Sequence, residues 1–167
     1  MLSSILAVVS GVVILGVDQF TKYYISANFV YGESVPFIKG FIDLQFIENS
    51  GSAWGMLSGK TWLLLTVTVV VMLVLITFLL KYGKRNKLLI WAVSLVISGG
   101  MGNLIDRIFR GGKVVDFLHF EFFPSFPIFN IADIAVVVGA GLLILYFIID
   151  TVKERKKNKE KAQNGYI

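Results

Sequence analysis

The chain has 167 residues, of which 56% are hydrophobic, and a mean hydropathy of +0.75. That exceeds what a water-soluble domain can bury, so the surplus apolar surface must face lipid and a soluble globular fold is excluded. The formal net charge is +5 and there is no cysteine, which rules out disulfides, thiolate nucleophiles, Cys-ligated metals and lipidation on Cys.

Four apolar segments follow in chain order: about Leu2 to Ile25, Thr61 to Lys81, Leu88 to Arg107 and Ile128 to Asp150. Each is near the ~20 residues that a helix needs to cross a bilayer core. The fold class expected is an all-α membrane protein, a four-transmembrane-helix bundle forming one domain over residues 1–152. A basic tail over 153–167 is expected to be disordered. The first segment resembles a signal peptide in position, but it lacks a basic leading region and a small-x-small cleavage site and runs into DQFTK. A retained anchor is expected.

Lys and Arg collect in two places: Lys81, Lys84, Arg85 and Lys87 between spans two and three, and Lys153, Arg155, Lys156, Lys157, Lys159 and Lys161 in the tail. The positive-inside rule puts both, and hence both termini, in the cytoplasm. Topology and attraction to anionic membrane lipids account for the positive charge, so no nucleic-acid partner is expected. The outer side then carries Asn28 to Lys60 and Ile108 to Pro127. In the first of these, FIDLQFIEN alternates Leu44 and Phe46 with Asp43, Gln45 and Glu48, the period of a half-buried strand. A small β-sheet lying on the membrane is expected within about residues 28–58. Phe41, Trp54, Phe122 and Phe123 suit an interfacial aromatic belt.

The acids are more informative than the bases. Asp18 and Lys22 have the i, i+4 spacing of an ion pair. NSGSAWG, with Asn49, Gly51 and Gly55, reads as a turn. GGMGNLIDRIFR sets Gly99, Asn103, Arg107 and Arg110 in a polar stripe along span three, where the glycines suit close helix packing. Asp106 at the stripe's edge is disfavoured by the helix dipole and needs Arg107, Arg110 or another helix as its partner. Asp116 lies in KVVDF, a short extended segment after Gly111-Gly112. Asp133 fits a helix start in which Asn130 is the N-cap and Asp133 the third residue. Taken singly, each has a structural explanation. Together, Asp116 and Asp133 return to one membrane face, where two carboxyl groups sharing a proton can act as acid and base on water.

The single histidine, His119, excludes HExxH zinc chemistry and any multi-His metal site, so neither metal nor cofactor is expected. It reads as an interface packing residue. A serine mechanism through Ser52 with Lys60 or His119 lacks a nucleophile-elbow pattern. A small ion- or proton-coupled transporter is the alternative function and requires acids near mid-membrane on several spans. A noncatalytic scaffold would leave the Asp116–Asp133 clustering unexplained.

DQFTK (Asp18 to Lys22), NSGSAWG (Asn49 to Gly55), GNLIDR (Gly102 to Arg107), VVDF (Val114 to Phe117) and FNIAD (Phe129 to Asp133) occur in that order. In this the chain resembles the lipoprotein signal peptidases (signal peptidase II), bacterial membrane aspartic proteases. The resemblance implies an aspartic endopeptidase of the cell membrane that cuts prolipoprotein signal peptides before a diacylglyceryl-modified cysteine, with its site toward the outer face. It implies a catalytic dyad of Asp116 and Asp133, with Asp18, Lys22, Asn49, Gly51, Asn103, Asp106, Arg107, Asn130 and Ala132 binding substrate or supporting the site. The partners implied are the membrane-bound prolipoprotein and membrane lipids; a monomer is expected. Ser52 and Ile134 depart from the family's commonest residues without touching the dyad.

Overall fold

The structure is a computed structural model describing residues 2–82, 86–163 and 165. Four helices are long and apolar enough to cross a membrane: α1 (Leu2–Asn28), α2 (Thr61–Tyr82), α3 (Lys87–Phe109) and α4 (Ile131–Gln163). The 22 residues of α2 make a rod of about 33 Å, matching a ~30 Å hydrocarbon core. Its Val67, Leu73, Val74 and Leu80 are exposed, which in a bilayer means solvated by acyl chains. Of the basic link, Lys84 and Arg85 lie outside the described residues.

Helix α3 is central and packs on the other three, most extensively on α4. The approach depends on glycine. A Cβ on Gly99 would collide with the Ala132 carbonyl oxygen and Val136, and one on Gly139 would sit 2.8 Å from the Ala92 carbonyl oxygen. In lipid, helix association rests largely on such close van der Waals packing, since no hydrophobic effect separates helix from acyl chain. Gly99→Ala should therefore destabilise the protein by about 1–3 kcal/mol. Gly141→Ala, where an added methyl meets nothing within 4 Å, should change little. Thermal unfolding of both variants in detergent checks the contrast.

At one end of the bundle a three-stranded antiparallel sheet is built from β1 (Ser34–Ile38), β2 (Ile42–Asn49) and β3 (Val114–Phe120), in that spatial order. A turn through Gly40, at φ +78, joins β1 to β2. The third strand comes from the connection between α3 and α4, so the sheet extends beyond the 28–58 segment in which it was expected. Alternation along β2 buries Phe46 with Ile25 of α1 and with Val115 and Phe117 of β3. This cluster seats the sheet on the helices. A bulge between Leu44 and Ile47 shifts the register so that Ile47, not its neighbours, faces Asp116.

Two boundaries differ from expectation. Helix α4 begins at Ile131 rather than Ile128, because Phe129 is taken by β3: its N–H donates to Leu118 O (3.0 Å), and its carbonyl accepts from Leu118 N (2.8 Å). At the other end α4 continues to Gln163, so residues 153–163, expected to be disordered, are helical. Lys, Arg, Glu, Gln and Ala are good helix formers, and they extend a helix already nucleated in the membrane. Its 33 residues span about 50 Å, some 20 Å more than the hydrocarbon core.

Candidate active site

The head of α4 is a reciprocal cap. Asp133 N–H donates to Asn130 Oδ1 (2.9 Å), while Asn130 N–H donates to Asp133 Oδ2 (3.1 Å). The helix-start explanation for Asp133 is thus correct, and it also aims the carboxylate. Its other oxygen, Oδ1, accepts from Asn103 Nδ2 of α3 (2.8 Å).

Asp116 is held in parallel fashion from β3, with only 2% of its surface exposed. Its Oδ1 accepts from Asn130 Nδ2 (2.6 Å), and its Oδ2 accepts from Asn49 Nδ2 at the end of β2 (2.9 Å). Every oxygen of the two carboxyl groups therefore has one protein donor and keeps a second lone pair. Asn130, fully buried, links the groups: its side chain serves Asp116, and its backbone N–H serves Asp133. Burial, reinforced by the nearby Asp133 charge, pushes the Asp116 carboxyl up to about 7, against the pull of the Asn49 and Asn130 hydrogen bonds.

Both carboxyl groups open into one cavity of about 610 Å³, which Asn49, Gly51, Asn103 and Arg107 also line. Away from the acids its wall is apolar, formed by Leu64 of α2, by Ile134, Val136 and Val137 of α4, and by the rings of Phe120, Phe126 and Phe129. Arg107 Nη2 donates to Gly51 O (2.9 Å), tying the NSGSAWG turn to α3. A Cβ on Gly51 would lie 2.5 Å from Met56 O, so the turn closes this tightly only with glycine. Arg107 Nε is buried with no hydrogen-bond partner among the described residues.

Behind the cavity stands a buried charge cluster. Lys22 Nζ lies 3.0 Å from Asp18 and 3.3 Å from Asp106, and all three are at most 1% exposed. Asp106 pairs with Lys22 and Arg110 (3.3 Å). Arg107, one of the expected partners, points the other way. Asp106 Oδ2 also accepts from Val115 N (3.0 Å), fixing the strand that carries Asp116, and Asp18 Oδ1 accepts from Ala132 N (2.8 Å), satisfying a free donor of α4's first turn. Lys22 donates to Asn103 Oδ1 (2.9 Å), which leaves the Asn103 amide nitrogen facing Asp133. The cluster thus reaches both acids through one intermediary each.

Sequence reading missed Gln19, whose amide nitrogen donates to Asp18, Gly102 O and Asp106 at 3.1, 3.1 and 3.3 Å. Its signal was a second polar residue beside Asp18 in an apolar span. The aliphatic part of the wall gave no signal, because Val136 and Val137 look like any lipid-facing residues. Ser52 Oγ donates to Met56 O (3.2 Å) and makes no hydrogen bond to Lys60 or His119 among the described residues, which removes the geometry of a serine mechanism. The acids gather at the sheet end of the bundle rather than at mid-span.

Residues 10–149 match the family model for signal peptidase (SPase) II. The lipoprotein signal peptidase of Bacillus pumilus is 43% identical over 151 residues, covering 90% of this chain and 94% of that protein. That of Halalkalibacterium halodurans is 41% identical over 150 residues, with 89% and 94% covered. Two solved bacterial membrane enzymes superpose with TM-scores of 0.82 and 0.77 at 37% and 36% identity, covering 90% and 88% of this chain and 90% and 93% of theirs. With its polar blocks converging on one cavity and residues 10–149 matched by the family model, the chain belongs to the signal peptidase II family.

Proposed function

We propose that this protein is an aspartic endopeptidase in which Asp116 and Asp133 act as a dyad on the signal peptide of a prolipoprotein, hydrolysing the bond before a diacylglyceryl-modified cysteine. The family gives a multi-pass membrane peptidase that removes signal peptides from prolipoproteins. The transporter reading is not supported. The observation carrying the aspartic mechanism is that two buried carboxyl groups, bridged by Asn130, open into one cavity with an apolar wall.

Asp116, whose carboxyl keeps its proton to about 7, serves as the acid, and Asp133, at the positive end of α4, serves as the base. Asp133 takes a proton from water as the water oxygen attacks the scissile carbonyl carbon. Asp116 hydrogen-bonds the carbonyl oxygen and stabilises its developing charge. Collapse of the tetrahedral intermediate breaks the C–N bond and passes a proton from the dyad to the leaving amine. The two groups titrate as a pair. Unwinding the signal helix for cleavage exposes backbone donors and acceptors that lipid cannot satisfy. Asn49 and Asn103 meet that demand, and the free Arg107 Nε–H suits a peptide or ester oxygen.

The signal helix and acyl chains enter from the bilayer along the apolar wall, each buried CH₂ contributing about 0.8 kcal/mol. The basic 81–87 link and tail support an orientation with both termini in the cytoplasm and the dyad at the outer face. A monomer contains every residue this mechanism uses. Two versions of one precursor peptide, with and without the diacylglyceryl group, provide the test. The lipid-bearing one should be cleaved with at least about 100-fold higher kcat/KM, and equal cleavage of both would overturn the substrate assignment.

A further inference from the structure

A second cavity, of about 480 Å³, adjoins the first and shares Asn49, Trp54, Phe126 and Pro127 with it. It therefore begins one hydrogen bond from the dyad, because Asn49 is the donor to Asp116 Oδ2. Its lining is mixed and much richer in polar groups than the first cavity's. Beyond its polar end the first is walled by apolar side chains, whereas the second sets Gln45, Glu48, Ser50, His119 and Ser125 among Ile47, Pro124 and Ile128. The ring pair Trp54–Phe126, edge to face at 6.2 Å, stands on the boundary. Trp54 holds its place with a left-handed backbone at φ +55, and its indole is 66% exposed.

A prolipoprotein has the same polarity break at its cleavage point. The signal segment and the acylated cysteine are apolar, while the chain after the cysteine is water-soluble. We propose that the second cavity is a subsite for this hydrophilic segment, which runs from the dyad past the Trp54–Phe126 pair and lies over β2 and the end of β3. This rests on the peptidase reading above. The Glu48 carboxylate is already paired with Lys113 at 2.7 Å, so recognition falls to amide, hydroxyl and imidazole groups. These fit the backbone and small polar side chains of an extended peptide rather than a charged or bulky apolar one.

The test uses two lipid-modified peptides identical through the cysteine, one ending there as an amide and one extended by about six small hydrophilic residues. The natural protein should favour the extended peptide about tenfold in kcat/KM. Gln45→Ala, which removes an amide, and Ser125→Trp, which fills the cavity from its exposed rim, should each bring that ratio to within about twofold of one. The ratio is read within each protein, so a variant weakened on both peptides alike still reports. A natural ratio near one, or an unchanged ratio in both variants, overturns the subsite. Failure of the dyad reading would show separately, as cleavage of the short peptide by Asp116→Asn.

Discussion

Asp116→Asn and Asp133→Asn should each lower cleavage of a lipid-modified precursor by about 10³-fold or more while the proteins still insert and fold. The substitutions keep size and one acceptor oxygen, so an Asn at 133 can still cap α4 and an Asn at 116 can still accept from Asn130. What they remove is the exchange of a proton. Circular dichroism and a cleavage assay on purified protein check both halves, and retention of a tenth of normal activity by either variant would sink the dyad.

The same site sets a pH dependence with a definite sign. Burial lifts the Asp116 carboxyl from its ordinary 3.8 to about 7, so under the proposed mechanism Asp116 is protonated for its part below that value, and activity should fall as pH rises through it. Stability moves in the same direction. Between 3.8 and about 7 the native protein holds a proton that the unfolded chain has lost, so the contribution of neutral Asp116 is complete below 3.8 and disappears as pH rises through 7. Asp116→Asn, which cannot titrate, should flatten that part of the stability profile.

Lys22→Met should be the most destabilising single change, costing about 3–5 kcal/mol in chemical or thermal unfolding in detergent. Lys22 is completely buried between Asp18 and Asp106, and its loss leaves two buried carboxylates against one remaining cation, Arg110. Adding Asp18→Asn should recover part of the loss, because Asn can still accept from Ala132 N while one unpaired charge is removed. Activity should drop beyond what stability explains, since Asn103 loses the shorter of the two hydrogen bonds to its Oδ1, keeping only that from Asn130 Nδ2 (3.2 Å) to hold its amide toward Asp133. An Arg at 22 should not rescue, because a planar guanidinium cannot replace a compact ammonium in a site with no exposed surface. If the single variant unfolded like the natural protein, the cluster would be irrelevant to stability.

The polar residues of the spans were legible because an ionisable group in an apolar helix must have a partner, and spacing alone paired Asp18 with Lys22 and Asn130 with Asp133. Asp106 shows where that reasoning stopped. The helix dipole said it needed a cation, and i, i+4 spacing favours Arg110 over the adjacent Arg107, but only the packing of α3 against α1 brings in Lys22 as well. Gln19 was passed over for a related reason, since its three partners lie on two helices.

Amino-acid order by itself determined that this chain spans a membrane four times and which polar residues of its spans need partners, because bilayer thickness and the cost of charge in lipid act on each segment separately. Only the tertiary structure decided that β3 joins the sheet, that Asn130 bridges two carboxyl groups from different elements, and that an apolar and a mixed cavity meet beside them. Those outcomes depend on which faces of separate elements meet, and hydropathy and spacing along one segment carry no information about the face presented by another.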